Sequence, residues 1–133
     1  MQRRLTIITG GTRGIGAATA ARLARDGHDL VLGYARDAGS AAETVRRVEE
    51  AGVRCLAVAT DITTDEGIQA LFGAARGFGQ VTGLVNNAGA TFHIAPLTDT
   101  PIDVVRRSVD LNLTAPLLCA REAARVMSRS RGG

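Results

Sequence analysis

Lysine is missing from all 133 residues, tryptophan is missing too, and aromatic side chains make up only 3% of the chain. Without lysine there can be no Walker-type phosphate loop, which needs a Lys directly after its last glycine. Few aromatics leave few platforms for stacking bases. The 16 arginines, set against 13 acids, are scattered over helix faces (Arg22, Arg25, Arg46, Arg47, Arg121, Arg125) rather than gathered into a stripe. Nucleic acid is therefore not an expected partner. Cys55 and Cys119 both fall in apolar runs and read as reduced core residues, not as a disulfide or metal pair. His28 and His93 have no partner at metal-ligand spacing, so no metal is expected. No apolar run approaches a membrane span, and Met1-Gln2-Arg3-Arg4 leads straight into a strand instead of a secretory h-region. The expectation is a cytoplasmic protein with no membrane partner.

What is present is organised around Thr9-Gly10-Gly11-Thr12-Arg13-Gly14-Ile15-Gly16. An apolar run, Leu5-Thr6-Ile7-Ile8, precedes it and reads as a buried strand. A run of helix formers, Ala17 to Ala24, follows it. Glycines at a strand-to-helix turn allow positive φ and let the backbone approach a ligand closely. The first-turn amides of the helix then form a site for phosphate. The G-x-x-x-G-x-G spacing differs from the G-x-G-x-x-G fingerprint but shares its mechanical setting. Taken alone, the loop is also compatible with a turn that binds nothing.

The rest of the chain alternates. His28–Tyr34 reads as a second strand with the exit Ala35-Arg36-Asp37. Ser40 begins a second helix, with Glu43 completing a capping box, and the helix runs to Ala51 before Gly52. Val53–Ala59 reads as a strand buried on both faces. Thr64 caps a third helix whose stripe is Ile68, Leu71, Phe72, Ala75 and Phe78. Val81–Asn86 is the fourth strand, and Ile102–Met127 a last long helical segment. Strands alternating with helices predict an α/β fold, a Rossmann-like doubly wound parallel sheet of four strands in the order 3-2-1-4. The domain spans residues 1–133, with its ligand outside the carboxyl ends of the strands. The loop after strand one, Arg36, Asp61 and Asn87 all fall there.

These residues resemble the short-chain dehydrogenase/reductases, most closely the 3-oxoacyl-carrier-protein reductase type. The resemblance rests on Thr9-Gly10-x-x-x-Gly14-x-Gly16, Asp61-Ile62, Asn86-Asn87-Ala88-Gly89 and Asp110-Leu111-Asn112-Leu113. It implies that the Gly10–Gly16 loop, with Thr12, Arg13 and Ile15, holds the pyrophosphate of a dinucleotide. It implies that Asp61 accepts from the adenine amino group with the Ile62 backbone beside it. Asn87, Ala88 and Gly89 would line the adenosine ribose, and Asn112 would join a catalytic tetrad, positioning a proton-relay water. Read without the resemblance, Asp61 could equally be a turn residue, and Asn86-Asn87 a strand-end cap. Pro116 lacks an N–H, so a helix running through it leaves the Asn112 carbonyl without its usual donor and should kink there.

Charge argues for NADP over NAD. Arg36 lies twenty residues after Gly16, Arg13 faces the same space, and Ala35 stands at the acidic position of NAD-preferring relatives. A one-residue shift of register would bring Asp37 there instead. The chemistry that the resemblance implies is hydride transfer between nicotinamide and a small carbonyl or alcohol. It assigns proton transfer to a Tyr with a Lys four residues on. Tyr34 is the only tyrosine and lies in the second strand, and there is no lysine. The expectation is therefore the amino-terminal, cofactor-binding half of a reductase, inactive alone. The alternative is a non-catalytic dinucleotide-binding or interaction module. Strand four should present an unpaired edge, with Leu113, Leu117 and Leu118 exposed, so self-association into a homo-oligomer is expected.

Overall fold

The computed structural model describes residues 2–130. Four strands, β1 (Leu5–Thr9), β2 (Asp29–Tyr34), β3 (Cys55–Ala59) and β4 (Val81–Val85), run parallel in the order β3-β2-β1-β4. This is the expected order. Helices α1 (Gly14–Arg25), α2 (Ala38–Glu49) and α3 (Asp65–Phe78) make the crossovers. After β4 come a 3-10 turn (Leu97–Asp99), α4 (Ile102–Val109), a π turn (Asp110–Thr114) and α5 (Ala115–Ser130).

Successive strand residues point to opposite faces of a sheet, and the core divides accordingly. Leu5 and Ile7 of β1 and Val31 of β2 pack with Leu71, Phe72 and Ala75 of α3 and with Ala115, Cys119 and Ala123 of α5. Ile8, Leu30 and Leu32 point the other way, toward Ala20 and Ala24 of α1 and Val48 of α2. With helices on both faces, the central strands carry near-continuous apolar sequence. Alanines at the contacts let the helix backbones lie close. Cys55 and Cys119 belong to clusters on opposite faces of the sheet and are free. Burial pushes their thiol pKa values up to about 12 and about 11. No helix among the described residues is long and apolar enough to cross a membrane.

Two expectations need correction. The second helix starts at Ala38, not Ser40, because Asp37 is its cap. The Asp37 carboxylate accepts from the Ser40 N–H at 2.9 Å and the Ser40 hydroxyl at 2.7 Å. Ser40 is thus the third helical residue, Glu43 closes no capping box, and the helix stops at Glu49. β3 is not buried on both faces. It lies at the sheet edge, so Leu56–Val58 are half-buried and Ala59 is exposed. The disturbance expected in the last helical segment takes the form of a π turn between α4 and α5, over the stretch that contains Asn112. There the Ala115 N–H reaches back five residues to the Asp110 carbonyl. Pro116 can donate to neither the fourth nor the fifth carbonyl before it, which is the physical reason the ladder changes pitch near it.

β4 pairs with β1 alone among the described residues, and its register slips at Thr82, a bulge whose hydroxyl meets the Leu5 backbone at 3.1 Å. Leu113 and Leu117 are 56% and 62% exposed, whereas Leu118 packs against the α3–α5 cluster. At the amino-terminal end of the sheet sits a buried carboxylate, Asp29. It accepts from the Arg54 N–H and Nε, each at 2.8 Å, pairs with Arg54 Nη2 at 2.7 Å and lies 3.5 Å from Arg3 Nη1. Burial works to raise its pKa, but the Arg54 N–H and guanidinium, with Arg3, outweigh it and hold the carboxyl below the ordinary aspartate value. A depressed native pKa contributes stability that is complete above the unfolded value, about 3.9, and lost as pH falls through the native one. Asp29→Asn should lower stability by about 1–3 kcal/mol near neutral pH. The gap between variant and parent should close as pH drops below about 4. Urea unfolding at pH 7, 5, 4 and 3 checks both parts.

Candidate functional site

Thr9, the last residue of β1, is buried, and its hydroxyl accepts from the Asn87 and Ala88 N–H groups, both at 3.1 Å. The Asn87 amide returns the tie, donating to the Thr9 carbonyl at 3.2 Å and the Gly10 carbonyl at 3.0 Å. Asn87 therefore braces the glycine loop from the neighbouring strand end. On the other side the Gly11 N–H donates to the Gly33 carbonyl at 3.1 Å. The buried Thr44 hydroxyl of α2 donates to the Thr12 carbonyl at 2.8 Å. The loop is held from three elements.

Two glycines make this possible. Gly10 has φ +62°, and a Cβ on it would lie 3.1 Å from both Ala88 Cα and Asn87 Nδ2. A Cβ on Gly16 would strike the Gly10 carbonyl oxygen. α1 then begins with no side-chain cap and no acid in its first turn. By contrast, α2 is capped by Asp37, and α3 by Thr64 with Asp65 and Glu66 behind it. Of the three crossover helices, only α1 leaves its first-turn N–H groups to an outside anion.

The four strand ends enclose one cavity of about 760 Å³. Gly10, Thr12, Arg13, Gly14, Arg36, Asp61, Ile62, Asn87, Ala88 and Gly89 all line it. Ile15 and Gly16 do not. Ile15 is exposed on the first turn of α1, and Gly16 packs against Gly10. The Ile62 side chain belongs to the core, which leaves its backbone for the cavity. Sequence reasoning did not name Tyr34, Thr60, Ala90 and Leu111 as site residues, yet they also line it. The first two simply end β2 and follow β3, so a strand-end rule would have found them. Leu111 stands inside the Asp110–Leu113 motif, but its place on the cavity wall comes with the π turn.

Asp61 and Asp37 are both committed locally. One Asp61 oxygen accepts from the Thr63 hydroxyl at 2.6 Å and the Thr63 N–H at 2.9 Å. These bonds, with a smaller contribution from Arg36, hold its pKa below the ordinary value. Asp61 is thus a turn residue and an ionised group at the cavity wall at once. The Ser40 N–H and hydroxyl, and more weakly Arg13, do the same for Asp37. Asn112 is exposed, but its amide is occupied. It accepts from the Ala90 N–H at 3.0 Å and donates to the Ala90 carbonyl at 2.9 Å and the Ser108 carbonyl at 3.0 Å. Asn86 similarly donates to the Pro116 carbonyl at 3.0 Å.

A family model described as short chain dehydrogenase matches residues 4–133. The chain belongs to the short-chain dehydrogenase family. Among curated relatives, cis-4-hydroxycyclohexanecarboxylate dehydrogenase of Sinomonas cyclohexanicum is 39% identical over 131 residues, covering 98% of this chain and 52% of the relative. Acetoin dehydrogenase from Enterobacter cloacae superposes with a TM-score of 0.90 at 35% identity, covering 97% of this chain and 51% of that one. An NADH-dependent reductase, A1-R', in complex with NAD superposes at 0.89 with 31% identity, covering 97% and 54%. The chain spans about half the length of the curated relatives it matches. In this chain the Thr9 hydroxyl is the hub that joins the loops after β1 and β4. Thr9→Val keeps the shape but leaves the Asn87 and Ala88 N–H groups unpaired. It should destabilise the chain by about 1–3 kcal/mol. Amide exchange should quicken first at Asn87 and Ala88, as hydrogen–deuterium exchange with denaturant melts will test.

Proposed function

We propose that this chain is the cofactor-binding half of an NADP-dependent oxidoreductase that interconverts a small carbonyl compound and its alcohol. The observation that carries the reading is the convergence of four strand ends on one cavity containing two arginines, Arg13 and Arg36, with Ala35 beside them. The uncapped start of α1 and the glycine cradle suit a pyrophosphate. Asp61 suits the adenine end, and Ala88 and Gly89 suit a ribose. When bound, the nicotinamide supplies the hydride. This chain's part is to hold the dinucleotide, orient it along the strand ends and support its charge. Asn112, through its hold on Ala90, keeps the loop beside the cavity in place, and its proposed catalytic part is to position a proton-relay water.

NADP is favoured over NAD because the acid at the end of β2, Asp37, already serves as the cap of α2. Both oxygens of Asp37 are engaged by Ser40, while the guanidinium groups of Arg13 and Arg36 are available for a 2′-phosphate. Calorimetric titration should give tighter binding of NADPH than of NADH. Arg36→Leu should weaken NADPH about tenfold or more, the range of a charge-assisted hydrogen bond, with little change for NADH. Equal affinities in the parent chain would overturn the choice of NADP.

A second reading, a non-catalytic dinucleotide-binding module, draws on the absence of lysine and the single tyrosine. The readings part at the coding frame after Gly133, where a continuation carrying Ser and Tyr-x-x-x-Lys supports the enzyme. For residues 1–133 themselves we expect no oxidation of NADPH by any ketone above a protein-free blank. A positioned general acid is worth about 10²–10⁴-fold, and the one tyrosine, Tyr34, has no Lys four residues on. A steady-state absorbance assay at 340 nm with a panel of small ketones is the check.

A further inference from the structure

We propose that Arg107 is a positioning residue for the cavity wall formed by Gly89 and Ala90, acting through Phe92. The inference rests on the dinucleotide reading above. Between the end of β4 and the turn at Leu97 the backbone forms no regular structure, yet its first part lines the cavity. Two tethers from the α4–π segment hold it. Asn112 grips both the N–H and the carbonyl of Ala90. Two residues further on, the Arg107 guanidinium lies over the Phe92 ring, 4.4 Å from its centroid. Phe92 is half-buried, whereas Thr91 and every residue from His93 to Asp99 are exposed, Ile94 to 92%. Phe92 is therefore the last anchored side chain before the loop leaves the body.

Arg107 has no carboxylate partner among the described residues, so its charge is available to the ring face. Leu111, which lines the cavity, sits in the same segment between Arg107 and Asn112. The two tethers thus hold the loop against the helical segment that supplies the opposing apolar contact. Loosening the outer one frees Phe92, loads the whole restraint on Asn112 and widens that end of the cavity. The end bounded by Arg13, Arg36 and Asp61 hangs on other strands and should not respond.

The experiment uses the 133-residue chain with Arg107→Leu, Phe92→Leu, the double variant and Arg107→Lys. The probes are NADPH, which spans the cavity, and adenosine 2′,5′-bisphosphate, which reaches only the Arg13 and Arg36 end. Arg107→Leu and Phe92→Leu should each weaken NADPH about two- to fivefold, the range of a partly exposed cation–π contact. Each should quicken exchange of the Ala90 N–H by a similar factor, while adenosine 2′,5′-bisphosphate affinity stays unchanged and Tm falls by no more than a few degrees. The double variant should be no worse than either single one, and Arg107→Lys should restore most of the loss. Unchanged NADPH affinity and Ala90 exchange, additive losses, or equal weakening of both probes would each overturn the role of Arg107. If the parent chain binds neither probe, the dinucleotide reading itself fails and takes this proposal with it.

Discussion

The tie between Thr9 and Asn87 is the constraint on which the site depends. Two neighbouring parallel strands end side by side, and the residues that end them exchange four hydrogen bonds, two to a hydroxyl and two from an amide. Parallel strands cannot be joined by a short turn, so the loops that follow β1 and β4 are far apart in sequence. Only side-chain chemistry can lock them together. Gly10 and Gly16 are glycines partly because this lock leaves no room for a Cβ. The site is thus preorganised by the sheet, and a ligand entering it would not have to order the loop.

Charge is divided between the two ends of the same sheet. At the amino-terminal ends Asp29 is enclosed by Arg54 and Arg3, a pairing that serves the fold. At the carboxyl ends the acids are engaged elsewhere, Asp37 on a helix start and Asp61 on a turn. The arginines there stay available. The balance at the carboxyl ends favours an anion there, and the helix dipole of α1 adds in the same direction.

Much of this was legible in the sequence, for identifiable reasons. Strands β1 and β2 are buried on both faces, so Leu30–Leu32 is a continuous apolar run and Leu5–Ile8 is broken only by Thr6. Crossover handedness then left few strand orders to choose from. The cap of α2 was misread because Asp37 and Ser40 are both capping types, three residues apart, and only geometry shows which accepts and which donates. The burial of β3 was overstated because its apolar composition suits a central strand, although the order 3-2-1-4 already places it at an edge. Pro116 marked a disturbance in the last helix. That the Asn112 amide is taken by Ala90 depends on a contact spanning 22 residues. No local pattern carries that.

The π turn also sets how this segment can vary in length. An α-helix advances about 100° per residue, so the extra residue in the turn offsets the faces of α4 and α5 by about that angle. Removing one residue between Asp110 and Thr114 would return the helix to regular winding and improve its hydrogen-bond ladder. The same deletion would rotate α4 against α5, carrying Leu111 and Asn112 away from the β4 loop while Ala115, Cys119 and Ala123 stayed in the core. In this segment helical regularity and the site are in direct competition. Insertions and deletions that are harmless to an ordinary helix should be excluded from these five positions and tolerated in the exposed arm around Ile94.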